Sequence, residues 1–223
     1  MTQHRKDPLL NNQIYHIYSR SIAKFEIYNS ELDFQRFLNM MQMYSFVGFN
    51  YKYSRYDDLS DQLKSQIIND LAESSPKYVN IICYCIMPTH FHLVLKQNRK
   101  DAISKYLGNL LNSYSRYFNT KYKRIGPLWS SRFKNVLVNN DEQLLHLTRY
   151  IHLNPSSVGI SISPEDWTYS SYNEYINDEK HLCDYGDDLE INPVQYRKFV
   201  NDRKTYQKSL SIIKKQLIDD YSG

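Results

Sequence analysis

The sequence predicts an α+β fold in which helices cover an antiparallel sheet as a two-layer sandwich. Four short segments have the composition and alternation of β-strands, two long amphipathic segments lie between them, and a further helix follows the fourth strand. The order β-α-β-β-α-β-α is that of a ferredoxin-like sandwich with one additional helix. With 223 residues, 41% of them apolar, the chain is long enough to bury such a core.

The first elements are predicted from the spacing of apolar residues. Residues 12–20 alternate as a strand, with Ile14 and His16 on one face. Residues 30–46 follow as a helix that begins at Ser30 as N-cap and has four residues at core spacing, Phe34, Phe37, Leu38 and Met41. The polar residues 55–78 are interpreted as a short helix or an insertion.

The centre of the sheet is predicted as a hairpin. Residues 78–87 and 90–96 are both typical of strands, and Pro88 between them breaks the ladder. Residues 101–123 form the second long helix, with an apolar stripe of Ile103, Leu107, Leu110 and Leu111. Residues 133–139 give the fourth strand.

The last helix of the sandwich is predicted over residues 141–154. Asn140 and Gln143 are compatible with a capping box at its start, and Pro155 is expected to end it. We predict that residues 10–176 form one domain. Residues 177–223 follow as an extension, an acidic loop and then one or two amphipathic helices, whose role the sequence does not define.

Basic charge is concentrated in residues 96–134. This segment has ten Lys and Arg residues and one acid, a surplus of +9 against +4 for the whole chain, and aromatic residues lie between the charges. Such a mixture can neutralise phosphates and stack on unpaired bases, although it is also compatible with a solvated helix over a core. The predicted phosphate contacts are Arg116, Lys121, Lys123, Arg124 and Arg132. Two tyrosines are interpreted as base-stacking or core residues, Tyr114 and Tyr117.

Several classes of protein are excluded by composition. Three irregularly placed cysteines give no disulfide framework, and the CxC pair at Cys83 and Cys85 lacks the second pair of a metal site. The six glycines form no phosphate-cradling loop or dinucleotide fingerprint. No stretch approaches the ~18 consecutive apolar residues of a membrane span. We therefore expect a soluble cytoplasmic protein without a membrane partner.

A pair of histidines in the second strand of the hairpin is the first candidate site. His90 and His92 leave the same strand face, roughly 6.5–7 Å apart between Cα atoms, and could share one divalent cation. The spacing alone is a weak signal, because strand histidines often only bond to their neighbours. Tyr150 and Asn154 share a face of the last helix. If that face lies against the histidine strand, the amide oxygen of Asn154 can reach the cation and the phenol lies beside it.

Four segments, YCIMPTHFHLVL, GPLWSSRFKNVLV, LTRYIHLNPSSVGI and WTYSSYNEYI, resemble in order and spacing the single-tyrosine HUH transposases. They are similar in particular to the REP-associated tyrosine transposases, enzymes of the IS200-like type. The resemblance spans roughly residues 10–176. It implies that His90, His92 and Asn154 bind Mg²⁺ or Mn²⁺ and that Tyr150 is the nucleophile.

The resemblance also implies the reaction and the substrate. Attack by Tyr150 on single-stranded DNA near hairpins or inverted repeats would leave a 5′-phosphotyrosine and a free 3′-OH. Another 3′-OH could reverse that step and rejoin DNA without ATP. Members of the family are monomers or homodimers, and such a protein would be associated with the nucleoid through DNA.

Alternatives to this interpretation stay open at the level of sequence. Tyr114 and Tyr117 could act as nucleophiles, but Phe118 and Lys121 occupy the positions four residues later, where a ligand would be needed. His146, one turn before Tyr150, is either the proton acceptor or a surface histidine. The chain could also be an inactive nucleic-acid-binding module, or a metal nuclease that uses water.

Overall fold

The computed structural model describes residues 7–177, 179, 181–186, 188–205 and 207. It confirms the predicted element order and the antiparallel sheet. The sheet has the order β2-β3-β1-β4, and every neighbouring pair is antiparallel. Its four strands are β1 Ile14–Arg20, β2 Val79–Met87, β3 His90–Gln97 and β4 Lys134–Leu137.

Helices pack on both faces of the sheet. In the described residues they are α1 Glu31–Ser45, α2 Tyr53–Asp57, α3 Asp61–Ser74, α4 Ala102–Lys121, α5 Asp141–Ser157, α6 Tyr172–Asn177 and α7 Pro193–Asn201, with short 3-10 turns at Ile22–Lys24 and Pro164–Asp166. α1 and α4 contact each other and one face of the sheet, while α5 contacts β2. In this part of the chain no helix is both long enough and apolar enough to cross a membrane.

Alternation along β3 decides what each face of the sheet carries. Phe91 and Leu93 are fully buried, and the ring of Phe91 lies 5.6 Å from that of Phe37 in α1. The histidines at 90 and 92 therefore leave the opposite face. Cys83 of β2 also leaves that face and contacts His152 of α5. The core under α1 and α4 thus directs the histidine pair towards α5.

The β2–β3 hairpin closes at Pro88 and Thr89, as predicted, with Met87 opposite His90. Its tip is held from outside, because the Pro88 carbonyl accepts the N–H of Ile27 at 2.9 Å. The Thr89 carbonyl likewise accepts a backbone N–H at 2.9 Å. These bonds fix the position at which β3 begins, and β3 begins with the first histidine of the pair.

The polar stretch between α1 and β2 is helical, which agrees with one of the two interpretations offered for it. α2 and α3 lie there, and Ser60 caps α3 by accepting the N–H of Leu63. None of the α3 residues is buried, so α3 is an addition to the outside of the sandwich, whereas Tyr56 of α2 is buried in the core.

The prediction that Pro155 ends the last helix is wrong. α5 continues to Ser157. Proline lacks the N–H that an interior residue donates, so the helix loses one bond there. The turn after the proline is held by other bonds, because the hydroxyls of Ser156 and Ser157 donate to carbonyls three residues earlier and the N–H of Val158 donates to the Asn154 carbonyl. At the start of the helix, Asn140 accepts the N–H of Gln143 at 2.8 Å, as expected of a cap.

The first part of the C-terminal extension packs on the sandwich. Tyr196 of α7 is buried, and its hydroxyl lies between Thr148 and His152 of α5. Glu174 of α6 accepts three consecutive backbone N–H groups, those of residues 181–183. The division of the chain after residue 176 stays a prediction. Within the predicted helical stretch, residue 206 and residues 208–221 lie outside the described residues.

A buried carboxylate joins α1 to the end of α4. Asp33 is fully buried and accepts from Lys121 at 2.7 Å, from Tyr117 at 2.8 Å and from Tyr122 at 2.6 Å. Burial alone would raise the pKa of Asp33, but these hydrogen bonds outweigh it and hold the pKa below its ordinary value. Hydrogen bonds to a charged group are among the stronger ones, so this cluster stabilises the helical layer.

We expect Asp33→Asn to lower the free energy of unfolding at pH 7 by about 1–3 kcal/mol, because the ion pair with Lys121 is lost. The measurement is urea denaturation. Since the folded pKa of Asp33 is depressed, its contribution is present above the unfolded value near 4 and is lost as the pH falls through the folded value. The difference between the two proteins should therefore shrink below about pH 4.

Asp70→Asn is the matched control, since Asp70 is exposed on α3. It should change the free energy of unfolding by no more than about 0.5 kcal/mol. Equal effects of the two substitutions would contradict the role given to Asp33.

Candidate active site

Three histidines lie together on the sheet face opposite α1 and α4. The rings of His90 and His92 are 5.3 Å apart between centroids. β1 runs beside β3 with Tyr18 opposite His92, and so contributes His16 and Tyr18 to the same face. Nε2 of His16 lies 2.9 Å from Nδ1 of His92. The sheet thus supplies a histidine pair and a third imidazole that contacts it.

α5 brings the predicted tyrosine to this face. The ring of Tyr150 lies 6.1 Å from that of His92, edge to face, and 40% of Tyr150 is exposed. Asn154, one turn later, is buried. The sequence-based hypothesis requires that a phenol on a helix and an imidazole on a strand meet, although they come from distant parts of the chain. The positions of Tyr150 and His92 agree with that requirement. The chemical roles of the four residues stay predictions.

Burial keeps the imidazoles neutral. It lowers the pKa of His16 to about 4 and that of His90 to about 4, with Arg20 acting in the same direction on His90. The pKa of His92 is lowered well below its usual value, first by burial and then because a charge on this ring would be repelled by charge on His16, His90 or Arg20. Neutral imidazole is the form that binds metal ions, because a protonated ring has no free lone pair.

Each histidine of the pair has its Nδ1 engaged. Nδ1 of His90 lies 2.9 Å from the Thr89 hydroxyl, and Nδ1 of His92 faces His16. In the tautomer with Nδ1–H as donor, both rings leave a lone pair on Nε2. Hydrogen bonds of this kind fix the tautomer and orientation of metal-binding histidines elsewhere.

Asn154 has hydrogen-bonding capacity left over. Its Nδ2 is buried and has no hydrogen-bond partner among the described residues. Buried polar groups are ordinarily paired, so an unpaired amide on the helix that brings Tyr150 to the histidine pair fits a site that a further group completes. No three His, Cys, Asp or Glu side chains within the described ranges are grouped so as to hold a metal ion. The predicted ligands His90, His92 and Asn154 include an amide side chain, so the absence of a His, Cys, Asp or Glu group does not apply to them.

The phenol of Tyr150 is protonated at neutral pH. Burial raises its pKa above the ordinary value, interaction with the Asn154 side chain acts against this, and Tyr18 adds to the increase. His146, the histidine considered as its proton acceptor, instead bonds to Arg149 at 2.7 Å and packs on Phe199. It is therefore engaged on the α7 side of α5.

Not all of the predicted DNA contacts share a face of the sheet with Tyr150. Arg116, Tyr117 and Lys121 lie on α4, across the sheet from the histidine pair. Arg124, in the loop after α4, packs over the ring of Phe25. The other two, Lys123 and Arg132, are exposed on loops.

Tyr114 is a core residue and not a DNA contact, which selects the second of the two interpretations given for it. Its ring is fully buried, and its hydroxyl donates to the carbonyl of Ile27. Tyr114 continues the apolar stripe of α4 and therefore belongs to the core. Tyr117 and Lys121 are partly accessible, but both already bond to Asp33.

His16 is the residue that sequence reasoning missed. The alternation of the first strand placed it on one face, but only the β1–β3 register shows that this face is shared with His92. Gln207 was also missed; its side chain donates to the backbone carbonyl of Tyr150 at 2.9 Å. No pattern in the sequence points to that contact.

Comparison with known proteins agrees with this geometry. The family model described as IS200-like transposase matches residues 40–154. A predicted REP-associated tyrosine transposase of Haemophilus influenzae is 26% identical over 147 residues, which cover 57% of this chain and 83% of the relative.

A solved structure of a REP-associated tyrosine transposase, bound to a REP hairpin, has the same fold. It matches with a TM-score of 0.52 at 13% identity, over 86% of this chain and 96% of the other. The family match spans more than half of the sequence and includes both the histidine pair and the tyrosine helix. The chain therefore belongs to the family of IS200-like transposases.

Proposed function

We propose that the protein is a metal-dependent single-stranded DNA endonuclease and strand transferase whose nucleophile is Tyr150. The observation that supports this most directly is the 6.1 Å approach of the Tyr150 ring to that of His92. A tyrosine beside two neutral imidazoles combines a nucleophile with a site for a Lewis acid. A protein that only binds DNA would not need a nucleophile and a metal site side by side.

The residues present fit a divalent cation. Nε2 of His90, Nε2 of His92 and the amide oxygen of Asn154 would hold Mg²⁺ or Mn²⁺. When bound, such an ion polarises the scissile phosphate and stabilises the charge that develops on its oxygens. Against the effect of burial, the Asn154 amide acts on the Tyr150 side chain to lower its pKa, so it would also favour the phenolate form as the phenol attacks.

Tyr150 carries the covalent step. Its oxygen attacks phosphorus, the bond to the 3′ oxygen breaks, and the products are a 5′-phosphotyrosine and a free 3′-OH. Because burial raises the pKa of Tyr150, the phenol must lose its proton as the new bond forms. Its partial exposure leaves that proton a route to solvent. The number of phosphodiester-type bonds is unchanged, so a 3′-OH of another strand can reverse the reaction.

We propose single-stranded DNA with hairpins or inverted repeats as the substrate, since the structural relative is bound to a REP hairpin. Arg20 pairs with His90 across the β1–β3 ladder and is exposed, so it would meet the phosphate next to the cation. The protein would act as a monomer or homodimer in the cytoplasm, on nucleoid DNA.

We expect Tyr150→Phe to abolish the covalent adduct between the protein and the downstream DNA fragment, which is labelled at its 3′ end, while leaving hairpin binding nearly unchanged. Only the nucleophilic oxygen is removed. The assay is denaturing gel electrophoresis after incubation with a single-stranded hairpin and Mn²⁺. Tyr117→Phe is the matched control and should still form the adduct.

Each other outcome identifies a different function. An adduct that persists in Tyr150→Phe but disappears in Tyr117→Phe would transfer the role to Tyr117. Free 5′-phosphate product without adduct, unaffected by Tyr150→Phe, would mean that water is the nucleophile. Absence of nicking on every hairpin tested would favour the binding module.

We expect His16→Leu to weaken Mn²⁺ binding about 10-fold or more, because His92 loses the partner that fixes its ring. His16→Gln should retain most of the affinity, since its amide oxygen can replace Nε2 as the acceptor. Mn²⁺ affinity is measured by electron paramagnetic resonance on the protein without DNA. Equal affinities in all three proteins would show that His16 does not position His92.

A further inference from the structure

A groove of about 850 Å³ lies on the outer side of the helical layer, away from Tyr150. It is bounded by α1, by residues 49–54 before and within α2, and by α4. The α4 residues that line it, such as Gly108 and Arg116, alternate with the buried stripe that packs on the sheet. We call this feature the outer groove. It is separated from the candidate active site by the sheet and by the core beneath α4.

The outer groove is electropositive. Four basic residues and no acidic ones are among the described residues that line it: Arg36, Lys52, Arg116 and Lys121. Arg36 is paired with Asp57 and Lys121 with Asp33. Within the described part of the chain, no ion pair or hydrogen bond engages the side chains of Lys52 and Arg116. Two uncompensated cations in one concave surface favour an anionic ligand.

Arg36 is held in a fixed position in the wall of the groove. Its guanidinium carbon lies 4.6 Å from the ring centre of Tyr53 and 4.7 Å from that of Tyr117. Its Nε is buried and has no acceptor among the described residues. A guanidinium fixed in this way adds a positive charge to the wall of the groove, and positive charge favours an oxygen-rich ligand such as phosphate.

The groove also offers a surface for stacking. Tyr51 is 49% exposed at its edge, and its ring leans on Phe49 with centroids 5.8 Å apart. Amide side chains line the remainder, from Asn50, Asn109 and Asn112. Exposed aromatic rings stack on unpaired bases, and amides can bond to base edges. An unpaired nucleotide carries a phosphate, a flat base and base-edge hydrogen-bonding groups, so it can use the cations, the ring and the amides together.

Gly108 is an unexpected residue for the floor of this groove. It lies inside α4, where glycine destabilises a helix relative to alanine. A Cβ at this position would meet nothing within 4 Å, so packing inside the protein does not require a glycine. A ligand that approaches the helix backbone closely accounts for the absence of a side chain.

We infer that the outer groove binds a short unpaired segment of single-stranded nucleic acid. Phosphates lie against Arg116, Lys52 and Arg36, and a base stacks on Tyr51. The inference deepens the proposed function and rests on it, because the ligand is a second part of the same DNA substrate. An unpaired segment fits better than a duplex, since stacking on Tyr51 requires a base that is free of its neighbours.

The first test uses photocrosslinking. Full-length Tyr150→Phe protein, which cannot cleave, is irradiated with a single-stranded oligothymidylate of about 15 nucleotides in which 5-iodouracil replaces some bases. Peptide mapping should find the crosslink at Tyr51. Crosslinks confined to β1, β3 and α5 would overturn the inference.

The second test measures affinity for the same oligonucleotide by fluorescence anisotropy. Arg116→Gln should weaken binding several-fold and reduce the slope of log K against log salt by about 0.7, the value for one phosphate contact on a single strand. Lys105→Gln is the matched control, since Lys105 is exposed on the same helix but does not line the groove. Equal losses in the two variants would mean that only overall charge matters, and would overturn the site.

Gly108→Ala separates a binding role from a structural one. We expect it to raise the urea midpoint of unfolding, because alanine is the better helix former, and at the same time to weaken oligonucleotide binding. Unchanged binding would count against the groove. These binding measurements do not depend on cleavage. If the wild-type protein formed no covalent adduct, the proposed function would be contradicted, but the measurements would still show whether the groove binds the oligonucleotide.

Discussion

The register of β3 between β1 and β2 is the constraint on which the candidate active site depends. Successive side chains in a strand leave opposite faces, so a shift by one residue would exchange the two faces entirely. Phe91 and Leu93 would then leave the core, and His90 and His92 would enter it. Burying each large apolar side chain is worth about 1.5–3 kcal/mol, and burying an unpaired imidazole there would cost more. The packing of the helical layer therefore fixes where the histidines point.

The position of α5, and with it that of Tyr150, depends on a separate residue, His152 of α5. This residue is fully buried, and burial lowers its pKa to about 3. Nε2 of His152 bonds to Ser171 at 2.8 Å, and Nδ1 bonds to Tyr196 at 2.7 Å. Those contacts tie α5 to the segment before α6 and to α7, while Cys83 of β2 lies 3.3 Å away. Because His152 faces inward, Tyr150 two residues earlier is turned to a different side of the helix and stays accessible.

Local sequence patterns could predict the histidine pair and the tyrosine helix separately, but not that the two contact each other in the fold. Period-2 alternation gave the shared face of the histidine pair, and helical spacing gave the shared face of Tyr150 and Asn154. Which sheet face α5 covers is decided by packing that no local pattern contains, and the contact of His16 with His92 requires the strand register. For Tyr114 two local patterns disagreed. Its helical spacing from the apolar stripe indicated the core, whereas the basic residues around it indicated DNA contact, and the helical spacing was the correct guide.

The charge run itself shows why counting residues along a sequence overstates a binding surface. Of the ten basic residues in segment 96–134, Lys121 is paired with the buried Asp33 and Lys96 with Asp188, which come from distant parts of the chain. The remainder is divided, because α4 crosses one face of the sheet while the loops that follow it lead to β4 and α5. A strand of DNA that met Tyr150 and also reached α4 would have to pass around the edge of the sheet. Basic residues on α4 and on the loops that follow it would make such a path electrostatically favourable, whereas a single flat patch would hold DNA on one face only.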